Sequence, residues 1–230
     1  MQKHFVVAGG SHGIGLELTQ RLLNQGLNVT CISRTEPAIT NANLQWLEHD
    51  FSTGGPINGL PEVIHGLAYC PGSINLKMFR SLKPEDFISD FDINVLGAVK
   101  LLQQTLPAMK AAGQSSVVLF STVAVQQGMA FHSSIAAAKG AVEGLTRSLA
   151  AEWAPQIRVN AIAPSLVETP LASKLIATPE KAEASAKRHP LQRIGQAADI
   201  ASMTAFLLSD EAGWMTGQVI GVDGGMSSLR

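Results

Sequence analysis

The chain has 230 residues, 46% of them apolar and 15% charged, against a charged share of about 25% in an average soluble domain, so it can bury a substantial core and is not intrinsically disordered. Seventeen Lys and Arg stand against eighteen Asp and Glu, for a net charge of -1. No basic run could neutralise a row of phosphates, which argues against nucleic acid as a partner. No apolar run approaches the ~18 residues of a spanning helix, no targeting pattern opens the chain, and Cys31 and Cys70 have neither metal-ligand nor disulfide-framework spacing. These features lead us to expect a cytoplasmic protein with no metal and no membrane, acting on a small molecule.

In chain order, short runs rich in β-branched residues predict buried strands at 5–8, 29–32, 63–68, 117–120, 157–162 and 218–222. Helical periodicity covers 14–25, 84–111, 133–153 and 197–208, with Pro84 suited to a first turn and Gly26 and Gly113 to helix ends. The alternation predicts βαβ units, hence a Rossmann-type doubly wound parallel sheet in a three-layer α/β sandwich. Between Arg34 and Asp50, and again between Phe51 and Glu62, no helix pattern is present, so at least one early crossover is expected to be loop. No linker divides two compositions, so 1–230 reads as one dinucleotide-binding domain. Residues 165–192, polar and Ala-rich with Pro170 and Pro179, read as a short helical lid over a substrate.

Directly after the first strand comes Ala8-Gly9-Gly10-Ser11-His12-Gly13-Ile14-Gly15, leading into the first helix. Glycines at such a turn let the backbone approach a pyrophosphate, which the free N–H groups of the helix start then bind. The second strand ends in Ile32-Ser33-Arg34, without the acidic residue that would hold an adenosine ribose hydroxyl. An arginine there can pair with a 2′-phosphate, which favours NADP(H) over NAD(H). A solvated loop arginine is the plainer alternative.

The spacing of Gly9, Gly13 and Gly15 resembles the Thr-Gly-x-x-x-Gly-x-Gly fingerprint of the short-chain dehydrogenases/reductases, with Ala8 in place of the Thr. Similar landmarks run to the C-terminus: Asp50, Asn94-Val95-x-Gly97, Arg158-Val159-Asn160-Ala161-Ile162-Ala163-Pro164 leading to Thr169, and Gly217-Gln218-Val219-x-x-Val222-Asp223-Gly224-Gly225. The general look is that of the 3-oxoacyl-carrier-protein reductase branch. The resemblance implies about seven strands, with the third ending before Asp50. It also implies that Asp50 and Phe51 flank an adenine ring, that Pro164, Val167 and Thr169 hold the nicotinamide end, and that Asn94 supports a catalytic lysine through a water. The family's Asn-Asn-Ala-Gly is here Tyr69-Cys70-Pro71-Gly72, which removes an amide that braces the sheet, so a compensating contact is expected.

The family's catalytic signature is Tyr-x-x-x-Lys with a Ser thirteen residues before the Tyr. Lys139 is the matching lysine, which puts Ile135 at the tyrosine position and Thr122 at the serine position, with Ser121 beside it. Ile135 cannot donate a proton, and loss of a general acid typically forfeits ~10²–10⁴ in rate. In the resembling enoyl reductases the tyrosine stands seven residues before the lysine; His132 occupies that position here and can serve as a donor. The plainer reading of His132 is a helix-start residue facing solvent. Two functions follow: an NADP(H)-dependent oxidoreductase acting on a carbonyl or enoyl compound through Thr122, His132 and Lys139, or an NADP(H)-binding protein without turnover. The helices at 84–111 and 133–153 carry apolar residues on more than one face, including Phe87, Phe91, Val95, Leu102 and Leu106 on the first and Val142, Leu145 and Leu149 on the second, which predicts a homo-oligomer, dimer or tetramer.

Overall fold

The computed structural model describes residues 2–229. The seven strands of its main sheet are β1 (His4–Ala8), β2 (Asn28–Ser33), β3 (Leu44–Glu48), β4 (Gly66–Tyr69), β5 (Ser115–Phe120), β6 (Ile157–Pro164) and, at the far edge, β9 (Val219–Val222). A two-residue pair, β7 (Val167–Glu168) with β8 (Gly195–Gln196), forms a second small sheet. The main sheet is parallel throughout, in the order β3-β2-β1-β4-β5-β6-β9. Among the helices, α1 (Gly13–Asn24) and α7 (Ala197–Leu208) cover one face. The other face carries α3 (Gly97–Ala111) and α5 (Ser133–Trp153), with α2 (Pro84–Phe91) packed on α5. Two shorter helices, α4 (Ala124–Gln127) and α6 (Pro179–Ala186), lie in the connections that follow β5 and β7.

The strand pattern follows from burial on both faces. In β1, Phe5 and Val7 enter the core beneath α1 and α7, while Val6 and Ala8 enter the core beneath α3 and α5. Successive side chains point to opposite faces, so a strand covered on both sides must be apolar at every position. Leu18 and Leu22 of α1, three to four residues apart, are buried on one side of the sheet as Leu101 and Leu102 of α3 are on the other. Truncating such a side chain to Ala typically costs ~2–5 kcal/mol.

Both early crossovers are loops, as the missing helical pattern implied, and β3 is a half-exposed edge strand with no continuous apolar run. The strand expected at 63–68 begins only at Gly66, because the Ile64 N–H turns aside to the carbonyl of Ala108 at the end of α3. The helix expected over 84–111 is broken into α2, a π turn at Asp92–Leu96 and α3. At this turn the Tyr69 hydroxyl donates to the Ile93 carbonyl at 2.7 Å, and a Cβ at Gly97 would stand 2.2 Å from that hydroxyl. This phenol contact joins β4 to the helix. Val95, Leu102 and Val142 face the chain's own core and are unavailable to a partner. Phe91, with its neighbours Ile88 and Leu96, stays exposed.

Candidate active site

The chain runs outward from β1 to β2 and β3 and then returns to place β4 on the other side of β1, so a crevice opens at the C-terminal ends of β1 and β4. The glycine loop sits there. Gly9 adopts φ 73° and donates its N–H to the Ile32 carbonyl at 2.7 Å; a Cβ at Gly15 would lie 2.2 Å from the Gly9 carbonyl oxygen. Only glycine lets the loop close this tightly on α1. His12 caps α1 without a side-chain hydrogen bond, so the first N–H groups, around Gly13 and Ile14, are left for an anion.

Beside this loop the end of β2 forms a polar cluster. Ser33 is buried and donates to the Thr35 carbonyl; Thr35 Oγ1 donates to Ser11 Oγ at 3.1 Å, and Ser11 Oγ lies 2.9 Å from His12 Nδ1. Arg34 is exposed at its edge and enters no ion pair among the described residues. Asp50 stands at the rim, where hydrogen bonds from the Ser52 hydroxyl and N–H hold its carboxyl below the usual carboxylate value. Beside it the Phe51 ring is buried edge-on against Tyr69, with centroids 5.2 Å apart.

A cavity of about 390 Å³ continues from the crevice, lined by Ile14, Thr122, His132, Ile135, Lys139, Pro164, Val167 and Thr169 among others. Lys139 Nζ donates to the Phe120 carbonyl at 2.8 Å. Burial lowers its pKa to about 8, although Cys70 and Asp90 both favour the charged form. Asn94, carried into the core by the π turn, donates through Nδ2 to Ser73 Oγ at 2.9 Å and to the Asp90 carbonyl at 2.7 Å. Its Oδ1 is buried with no partner among the described residues, and a Cβ at Gly72 would meet both Asn94 Oδ1 (3.1 Å) and Lys139 Nζ (3.6 Å). A buried acceptor and a buried ammonium therefore converge on one point. Ile135 lies one helical turn before Lys139 and puts a methyl surface into the cavity, while His132 is half-buried with Nδ1 2.7 Å from the Ala130 carbonyl.

The residues present fit a dinucleotide. The loop around Gly9 and Gly15 is a cradle that any side chain would fill, and the unpaired Asn94 Oδ1 beside Lys139 awaits a hydroxyl or water. Five polar residues here, Ser73, Asp90, Glu143, Ser165 and His189, were not singled out from the sequence. Asp90 accepts from Ser73 Oγ at 2.6 Å, Ser121 donates to the buried Glu143 at 2.7 Å, and Ser165 meets His189 at 2.8 Å. Spacing could have found Asp90 and Glu143, which lie four residues before Asn94 and four after Lys139 and so share helix faces with them. Nothing local links Ser165 to His189.

The family described as enoyl-(acyl carrier protein) reductase matches residues 8–227. A tropinone reductase homolog of Arabidopsis thaliana is 32% identical over 240 residues, covering 96% of this chain and 92% of that protein. A 3-oxoacyl-[acyl-carrier-protein] reductase of Thermotoga maritima is 40% identical over 147 residues, covering 63% of this chain and 58% of that protein. Among solved structures, the ligand-free aldohexose dehydrogenase of Thermoplasma acidophilum superposes with a TM-score of 0.89 at 28% identity, covering 100% of this chain and 95% of that one.

Proposed function

The chain belongs to the short-chain dehydrogenase/reductase family, and from that premise we propose that it is an NADP(H)-dependent oxidoreductase acting on a small carbonyl or enoyl compound through an altered active site. The observation that carries the proposal is the convergence of Lys139 Nζ and the unpaired Asn94 Oδ1 on Gly72, beside Thr122 and next to the glycine loop. The family uses nicotinamide cofactors, and such a cofactor, when bound, supplies a hydride.

In this reading the loop from Gly9 to Gly15 and the start of α1 hold the pyrophosphate, while Ser11, His12, Ser33 and Arg34 hold the 2′-phosphate. Asp50 and the Phe51 backbone border the adenine, Pro164, Val167 and Thr169 the nicotinamide end. Lys139 donates to ribose hydroxyls and Asn94 fixes a water beside it. Thr122 presents its hydroxyl to the substrate oxygen, and His132 lines the same space. Residues 165–192, which contribute Leu171 and Leu175 to the cavity wall, act as the lid and favour an apolar substrate. Because Ile135 offers no proton, turnover is expected ~10²–10⁴ below that of a phenol-bearing site.

The test is to follow nicotinamide absorbance while the protein meets NADPH and a panel of ketones and enoyl thioesters. Slow, enzyme-dependent oxidation is expected. If NADPH binds but no panel member is reduced by either the natural protein or Ile135→Tyr, the chain binds cofactor without turnover and the proposal falls.

A further inference from the structure

Ser165 directly follows β6, and His189 lies just beyond α6. Ser165 Oγ is 2.8 Å from His189 Nε2, and His189 Nδ1 is 2.9 Å from the Ser185 carbonyl oxygen. A carbonyl only accepts, so Nδ1 carries a proton, and Nε2 either accepts from the Ser165 hydroxyl or, in the charged ring, donates to it. The ring is 3% exposed, and both its nitrogens are fixed by partners. Met226 Sδ, a weak acceptor, also sits 2.9 Å from Ser165 Oγ.

Two placements give this pair a role. First, the pairing of β5 with β6 sets Phe120 opposite Ile162, and the Val123 N–H donates to the Pro164 carbonyl at 3.1 Å. Thr122 and Ser165 therefore leave neighbouring strand ends into the same cavity. Second, Ser165 and His189 also line an adjoining cavity of about 270 Å³ that contains Arg193, Asp199 and Asp223. The pair forms the wall between the two cavities, and charged side chains line the second. Burial pushes the Asp223 carboxyl up, but hydrogen bonds from Ser227 and from the Gly225 N–H, with His189 nearby, outweigh it and hold the carboxyl below its usual value.

We propose that Ser165 and His189 are the proton-donating pair of this active site, acting where Ile135 replaces a phenol. The inference rests on the oxidoreductase reading above, with reduced nicotinamide as the two-electron donor. As the substrate carbonyl carbon gains hydride, its oxygen takes the Ser165 proton: the Oγ–H bond breaks and a new O–H bond forms. The Ser165 oxygen takes in turn the Nε2 proton of charged His189, which is left neutral with Nδ1–H on Ser185. His132 is less firmly held: its one side-chain hydrogen bond among the described residues reaches only two residues back to Ala130.

The experiment compares NADPH-dependent reduction, NADPH affinity by fluorescence and ¹⁵N resonances of the histidine rings in the natural protein, Ser165→Ala, Ser165→Thr and His189→Gln. The pair predicts that Ser165→Ala and His189→Gln each lower kcat by at least about 10²-fold, and that combining them lowers it no further, because the two act as a unit. NADPH affinity should hold throughout, Ser165→Thr should keep most of the rate, and the His189 Nε2 resonance should move in Ser165→Ala. Adding Ile135→Tyr to Ser165→Ala should restore turnover. Full kcat in Ser165→Ala, or loss confined to His132→Ala, overturns the pair and leaves the oxidoreductase reading standing. An inert natural protein whose Ile135→Tyr form turns over also overturns the pair. Absence of turnover in both, or absence of NADPH binding, overturns the oxidoreductase reading as well.

Discussion

Lys139 is held at the edge of its charged state. Burial alone favours the neutral amine, Cys70 and Asp90 oppose it, and the balance sets the pKa at about 8. In the proposed site the ammonium is the form that would donate to ribose hydroxyls while keeping the Phe120 carbonyl satisfied. Dinucleotide affinity should thus be full below this value and fall as pH rises through about 8, because the cationic donor is then lost. Asp90→Asn removes a charge that favours the ammonium, so the fall should move to lower pH; fluorescence titrations across the range read the shift, and an unmoved midpoint contradicts the coupling. A second residue-scale expectation concerns Ile135→Tyr. The new phenol would share a helix face with Lys139, whose charge lowers a neighbouring phenol's pKa, and carbonyl reduction should rise by ~10²–10⁴. Steady-state kinetics on the responsive substrates would show it. Ile135, Lys139 and Thr122 were singled out through the resemblance to the family's Tyr-x-x-x-Lys signature and its Ser thirteen residues earlier. His189 was not, since 24 residues and a lid segment separate it from Ser165.

At the scale of elements, the joint between β4 and the α2–α3 helix holds Asn94 in place. The π turn leaves the Ile93 carbonyl to the Tyr69 hydroxyl, and Gly97 makes room for that oxygen. Tyr69→Phe leaves a partly buried carbonyl without its donor, which should cost ~1–3 kcal/mol in urea unfolding. Gly97→Ala drives a methyl into the phenol and should destabilise further, while loosening Asn94 and weakening NADPH binding. A Tyr69→Phe protein of unchanged stability would show that the joint is held by packing alone. This turn was hidden in the sequence, because apolar residues stand on more than one face between Pro84 and Ala111, so the rotation that one extra residue introduces leaves no visible break. The residue pattern does not mark the edge strand β3, because Leu44, Trp46 and Leu47 are only half-buried and form no continuous apolar run; only the family resemblance placed a strand before Asp50. The doubly covered strands β1, β2, β5 and β6, by contrast, were legible from β-branched runs alone.

Across the whole molecule, the outer side of α2 and the π turn leaves Ile88 59%, Phe91 40% and Leu96 37% exposed, an apolar patch that a second copy would cover. A dimer or larger assembly is expected by light scattering at micromolar concentration, and Ile88→Glu should weaken it; a monomeric mass for the natural protein would contradict this. Doubly wound order and switch-point crevice follow from alternation of strands and helices, but cavity shape depends on how residues 165–192 fold back over the strand ends, which composition does not encode. The crevice, with Arg34 beside the cluster of Ser11, His12 and Thr35, is expected to select NADP(H). The direct measurement is a fluorescence titration of the natural protein and Arg34→Ala with NADPH and NADH. Tighter binding of NADPH, with most of the preference lost in Arg34→Ala, is the result predicted; equal affinity for the two cofactors in the natural protein would contradict it.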